Sequence, residues 1–206
     1  MEPWKILLER AFAILAQADT ELFWTMGGGT VLMLRHNHRA SKDVDIFFRD
    51  PQALGHVNPR MGGIAEQMTA KYEEGPEHVK LYFPEGEVDF VASPLLTEPG
   101  FVVGEALGRA VRLETDVEIV AKKLWHRGYE AKARDLFDLR LVIERSPDEL
   151  LPSAEYLTRH RAAFLDSLRR RREILKVQFE TIDVRDYRPG FAESVERATS
   201  FLMGLG

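Results

Sequence analysis

"GGGTVLMLRHNHRASKDVDIFF", residues 27–48, joins three glycines to an apolar run and then to two aspartates one residue apart. In a strand, side chains two apart face the same way. Asp43 and Asp45 are therefore expected to project together from the strand "DVDIFFRD", with Val44 and Ile46 on the opposite face. Carboxylates this close repel, and like charges at one site raise a pKa. A hard divalent cation removes the conflict, because Mg²⁺ takes one or two carboxylates and completes its shell with substrate phosphates. Upstream, "ELFWTMGGG" reads as a short strand entering a tight turn, and "TVLMLRHN" as a helix starting at Thr30, whose hydroxyl is suited to cap it. Backbone N–H groups at Gly28 and Gly29 would then face a triphosphate. An isolated Asp-x-Asp is most often the polar face of an edge strand, and Gly-Gly alone marks only a turn. A phosphate-cradling turn followed by paired carboxylates is much more specific.

Working outward, "PWKILLERAFAILAQA" has helical spacing with Pro3 in its first turn, and "GGIAEQMTAKY" reads as a helix. "HVKLYFPEGEVDFVAS" reads as two strands joined at Pro84-Glu85-Gly86. Asp89 on the second of these is a third carboxylate expected beside the first pair, and three on adjacent strands would make a one- or two-metal site for phosphoryl chemistry. "AVRLET" is a short strand, and Thr115 at its end is suited to cap a helix. From Asp116 the pattern is helical: "DVEIVAKKLWHRG" stopping at Gly128, "EAKARDLFDLRLVIERS" stopping at Pro147, "PDELLPSAEYL", a long "RAAFLDSLRRRREILKVQFETI" and "FAESVERATSFLM". The expected organisation is a core over residues 1–115 and a helical region over 116–206 that completes the cleft. The class is α+β, a small mixed sheet with flanking helices and a helical C-terminal half.

The net charge of −5 argues against a protein coated in positive charge, yet the segment from Arg159 to Lys176 alone carries +5. Its "RRRR" at 169–172 reads either as a solvated charge run with local pairs or as a grip on an RNA backbone. No cysteine is present, which excludes disulfides, thiolate metal sites and cysteine nucleophiles. "MEPWKILLERAFAIL" lacks a basic segment followed by an apolar run, and no stretch approaches the ~18 apolar residues of a membrane span. A cytoplasmic protein without membrane partners is expected.

On a helix, Asp135 and Asp138 share a face. Asp135 is suited to accept a proton or position a hydroxyl, and Lys123 to neutralise phosphate charge in a transition state. The bland alternative is a solvated face of weak ion pairs. His36 and His38 read as surface residues at a helix end, and Trp24, Phe47 and Phe48 as core.

Gly28-Gly29-Thr30 followed by Arg39, Ser41, Asp43 and Asp45 resembles the AbiEii/AbiGii-type nucleotidyltransferases, a branch of the DNA polymerase β-like superfamily. Many of these are toxins of bacterial toxin–antitoxin or phage-defence systems. Arg39 to Asp45 matches the family's Arg-x-Ser-x-Asp-x-Asp. A second match, Lys123 with Arg134, Asp135 and Asp138, resembles the family's helical lysine and Arg-Asp-x-x-Asp, so the resemblance covers roughly residues 20 to 145. Lys122 stands where the family often has an acid, and Gly-Thr replaces the superfamily's Gly-Ser while keeping the hydroxyl.

The resemblance implies transfer of NMP from an NTP to an acceptor hydroxyl, with Mg²⁺ or Mn²⁺ as cofactor. The acceptor would be a tRNA 3′ end or a protein hydroxyl, and an antitoxin protein would be the partner. Asp43, Asp45, Lys123 and Asp135 would be catalytic, Asp43, Asp45 and Asp89 would hold metal, and Gly28, Gly29, Thr30, Arg39 and Ser41 would hold the nucleotide. The rival expectation is an inactive nucleotide- or partner-binding module on the same fold, against which the retained acidic cluster speaks.

Overall fold

A computed structural model describes residues 2–18 and 22–205. The chain divides into two compact units, the first formed by residues 1–31, 41–95 and 101–114, the second by residues 32–40, 96–100 and 115–206.

The first unit is built on a mixed sheet of seven strands among the described residues. These are β1 (Trp24–Gly27), β2 (Val44–Phe48), β3 (Tyr72–Gly75), β4 (His78–Phe83), β5 (Gly86–Ala92), β6 (Phe101–Ala106) and β7 (Arg109–Glu114), in the order β3-β4-β5-β2-β1-β7-β6. β2 runs parallel to β5 and β1 parallel to β7, and the other neighbours are antiparallel. Alternation decides which face is buried: Val44, Ile46 and Phe48 of β2 and Val88 and Phe90 of β5 are fully enclosed, and Phe48 stacks on Phe90. Helix α1 (Pro3–Ala16) lies against β5 and β2, burying Leu7, Leu8, Ala11 and Ile14.

Two strands, β3 and β6, were not expected from the sequence. The helix anticipated through Tyr72 is only the short α3 (Ile64–Met68), and "TAKY" leads instead into β3. β6 lies at the sheet edge, where Val102 and Val103 stay exposed, so it lacks the buried alternation that announces a strand. Its hairpin with β7 turns at Leu107-Gly108, both at positive φ, as a two-residue primed turn requires.

Helix α2 (Gly28–His36) begins two residues before the expected Thr30 cap. The second unit continues with α4 (Asp116–Arg127), α5 (Ala133–Arg145), α6 (Pro147–Leu150), α7 (Ala154–Thr158), α8 (Arg161–Arg170), α9 (Arg172–Glu180) and α10 (Phe191–Gly204). Thr115 caps α4 by accepting from the Glu118 N–H at 3.2 Å, as expected. The long helix anticipated over residues 161–182 is broken at Arg171 into α8 and α9. Both halves thereby bury an apolar face, with Phe164 and Leu168 on α8 and Leu175 and Phe179 on α9. Phe137 of α5 is the hub of this unit, with its ring centroid 5.3 Å from Phe179 and 5.6 Å from Tyr187. Residues 37–40 are stitched to 183–186 by backbone hydrogen bonds, and so belong to the helical unit.

Candidate active site

In the first unit a row of residues crosses four strands. Lys80 of β4 pairs with Asp89 of β5, Asp89 with Asp45 of β2, and Asp45 with Gly27 of β1. Because the neighbouring residues on β2 and β5 are buried apolar side chains, this row lies on the more open face. Asp43 precedes β2 rather than lying within it, and its Oδ1 accepts from the Glu87 N–H at 3.2 Å. Asp43 thus lies just ahead of the strand that carries Asp45, and Asp89 lies opposite Asp45 on β5.

The glycine turn is shaped around Asp45. Gly28 has φ of +69°, and a Cβ there would stand 2.6 Å from Asp45 Cγ, an overlap only glycine avoids. Thr30, expected as a cap, instead sits inside the first turn of α2. Its hydroxyl donates to the Asp43 carbonyl and lies 2.9 Å from Ser41 Oγ, so it braces the segment carrying Asp43.

Lys80 and Glu87 were missed from the sequence. The Lys80 ammonium donates to Glu87 Oε2 at 2.8 Å and stands 3.3 Å from Asp89 Oδ2. Burial works against that ammonium, but Glu87 and Asp89 outweigh it and raise its pKa. Burial pushes the Asp89 carboxyl up despite Lys80, and Glu87 and Asp43 add to the rise. Counting outward from the Phe83–Gly86 pair at the hairpin turn reaches Lys80 opposite Asp89, which was the available signal.

Among the described residues, no group of three or more His, Cys, Asp or Glu side chains is arranged to hold a metal by itself. Asp43 and Asp45 supply two hard oxygen donors, the number Mg²⁺ takes when phosphates and waters complete its shell. The donor set therefore fits a cation that arrives with a nucleotide.

In the second unit a buried charge network joins both sequence motifs. Asp138, fully enclosed, accepts from Arg39 Nε and Nη2 at 2.8 Å each, from Lys123 Nζ at 2.6 Å, and pairs with His38 Nε2 at 2.9 Å. Asp135 accepts from Lys123 Nζ at 3.0 Å and from Arg127 Nε and Nη2 at 2.9 and 2.7 Å. Burial pushes both carboxyls up, but Arg39 and Lys123 at Asp138, and Lys123 and Arg127 at Asp135, hold both below the ordinary aspartate value. Burial foremost lowers the His38 pKa, against the pull of Asp138.

His38 is thus a buried partner rather than the expected surface residue, and Arg39 directs its fork at Asp138. His36 pairs with Asp116 at 2.5 Å. Lys122 turns toward Glu118, 3.4 Å away, so the adjacent lysines serve different partners. Arg134 is exposed. Arg169 and Arg170 pair with Asp166 and Arg171 with Glu130, while Arg172 lies over Phe191. Of the residues expected in the core, Phe48 is buried, while Trp24 and Phe47 are half-buried.

The sequence matches the family "Nucleotidyl transferase AbiEii toxin, Type IV TA system" over residues 10–200. The chain belongs to the AbiEii family. It is a nucleotidyltransferase of a toxin family of toxin–antitoxin systems, as the resemblance implied. Its fold is similar to MenT4, a nucleotidyltransferase toxin from Mycobacterium tuberculosis H37Rv, at a TM-score of 0.57 and 16% identity, covering 98% of this chain and 84% of that one. It is also similar to JHP933 from Helicobacter pylori, at a TM-score of 0.54 and 16% identity, covering 97% of this chain and 89% of that one. No curated protein matches the sequence. Among the described residues, no helix is long and apolar enough to cross a membrane.

Proposed function

We propose that this chain transfers the NMP group of an NTP to an acceptor hydroxyl in a metal-dependent reaction, and acts as a toxin held in check by an antitoxin protein. The observation that carries the reading is the fit of the Asp45 carboxylate over Gly28, which joins an acidic pair to a helix N-terminus. Gly28 and Gly29 offer backbone N–H groups to the triphosphate, and Thr30 with Ser41 keeps the Asp43 segment in place. Asp43 and Asp45 would hold Mg²⁺ or Mn²⁺, with Asp89 beside them on β5. Such an ion, when bound, polarises the α-phosphate and neutralises charge on the leaving pyrophosphate.

Lys123 is assigned to the negative charge that grows as pyrophosphate leaves. Asp135, by its sequence position alone, is suited to accept a proton. A carboxylate kept low in pKa by Lys123 and Arg127 is a weak base, and its geometry supports a positioning role toward the Lys123 ammonium. Arg39 is assigned to holding Asp138 rather than the nucleotide.

The acceptor carried into the test is the 3′ end of tRNA, with a protein hydroxyl as the other outcome. The protein is incubated with each NTP labelled at its α-phosphate, Mg²⁺ and either total tRNA or cell extract. Label on tRNA, absent with Asp45→Asn, supports the reading in full. Label on protein moves the acceptor, and no Asp45-dependent label with any NTP overturns the reading.

A further inference from the structure

Lys80 occupies the end of the acidic row. It lies on β4 directly opposite Asp89, which lies directly opposite Asp45. Its ammonium reaches Asp89 Oδ2 at 3.3 Å and Glu87 Oε2 at 2.8 Å. The side chains are neither deeply buried nor fully open, at 27% exposure for Lys80 and 19% for Asp89. Glu87 and Asp89, two apart on β5, project from one face, so the ammonium is shared by two carboxylates that would otherwise face each other unneutralised.

A nucleotidyl-transfer site with three carboxylates on adjacent strands has room in principle for two divalent ions. Here the third carboxylate already faces a cation supplied by the chain. An ammonium in contact with Asp89 repels a divalent ion approaching the same oxygens, and it offsets the same negative charge that would attract the ion. Its two carboxylate contacts both lie on β5, one strand further from the glycine turn than Asp45. The arrangement is built into the hairpin: Phe83 opposite Gly86 sets the register, and that register puts Lys80 across from Asp89.

We propose that Lys80 is an internal cation that takes the place of a second metal ion at Asp89, so that the protein engages its nucleotide with a single divalent ion held by Asp43 and Asp45. This rests on the proposed metal-dependent reading of that pair. Lys80 is then a specificity-determining residue for metal stoichiometry, and Asp89 with Glu87 serves to hold it in place.

The test counts ions rather than turnover. The full chain is dialysed to equilibrium against Mn²⁺ with the α,β-methylene analogue of ATP, CTP, GTP or UTP, and manganese and nucleotide retained by the protein are measured. One Mn²⁺ per retained nucleotide is expected for the parent, two for Lys80→Met, and one again for Lys80→Arg, which restores a cation. Lys80→Met keeps the apolar stem, and its circular dichroism is compared with the parent. Two ions per nucleotide in the parent, or one in Lys80→Met, overturns the proposal while leaving the Asp43–Asp45 metal reading standing. No protein-dependent retention of Mn²⁺ with any analogue removes that reading and the proposal with it.

Discussion

Arg39 and Asp138, ninety-nine positions apart, are joined through both nitrogens and both oxygens of a fork-to-fork ion pair, at 2.8 Å on each side. The arginine of the first sequence motif thereby anchors to the second acid of the other motif, within the helical unit. Removing one partner of a buried pair leaves an uncompensated charge and costs about 3–5 kcal/mol. Arg39→Ala and Asp138→Ala are each expected to lose stability on that scale in urea unfolding. Arg39→Lys recovers only part of it, because an ammonium lacks the planar fork. A loss below ~1 kcal/mol for Arg39→Ala would return the arginine to the surface role of a phosphate contact.

Gly28→Ala tests the fit between turn and carboxylate. An added Cβ overlaps Asp45, and a non-glycine residue at this left-handed φ costs about 1–2 kcal/mol. The expected result is a modestly destabilised protein whose affinity for Mg²⁺–NTP falls about tenfold or more, the equivalent of ~1.4 kcal/mol. Unchanged affinity by calorimetry would make the turn purely structural.

Legibility in the sequence divides along physical lines. The placement of Asp43, Asp45 and Asp89 was legible because strand alternation and hairpin pairing are local rules, and the shared face of Asp135 and Asp138 because helix spacing is one too, whereas Lys123 was singled out only by the family resemblance. Lys80 was hidden by the same hairpin, since its role depends on counting register across the turn rather than along one strand. His38 looked exposed because it comes just after a helix end, and Arg39 was assigned to the nucleotide by the family motif. Pairing of residues 37–40 with 183–186 buries them, and no local pattern announces a partner so distant in sequence. The break at Arg171 was illegible for a related reason: helical periodicity continues through it, and the bend shows only in the burial of both Phe164 and Phe179.

His38 makes stability depend on pH in a definite direction. Burial, together with the nearby Arg39 and Lys123, lowers its pKa against the opposing pull of Asp138. The unfolded chain therefore binds the proton first. This contribution is fully present above the unfolded value of about 6.5 and is lost as pH falls below it toward the folded pKa. Unfolding free energy should decline between pH 7 and the folded pKa by at most about 1.4 kcal/mol per pH unit from this single group. His38→Gln keeps a donor for Asp138 and should flatten the slope over that interval. An identical slope in the variant would assign the dependence elsewhere.

The last expectation separates transition-state stabilisation from binding. Lys123 bridges Asp135 and Asp138, while Lys122 faces Glu118. Lys123→Ala leaves each acid with a partner, Arg127 for Asp135 and Arg39 for Asp138, so the fold is expected to survive its loss. Asp135→Ala leaves Lys123 with Asp138. Ground-state NTP, in the proposed reading, is held by the metal at Asp43 and Asp45 and by the glycine turn, so neither change should weaken binding more than a few-fold. Charge on departing pyrophosphate grows only in the transition state, and a group that answers it alters turnover rather than affinity. Lys123→Ala is therefore expected to lower kcat by about 10²–10³-fold. Asp135→Ala should act in the same direction through loss of lysine orientation. Lys122→Ala should chiefly destabilise the protein, because Glu118 also accepts from the Leu96 and Thr97 N–H groups that hold residues 96–100. Single-turnover rates and calorimetric affinities on the same three variants check this directly. If Lys122→Ala abolished transfer at unchanged affinity while Lys123→Ala stayed active, the adjacent lysines would exchange roles, and the Asp135–Lys123–Asp138 network would be a structural clamp alone.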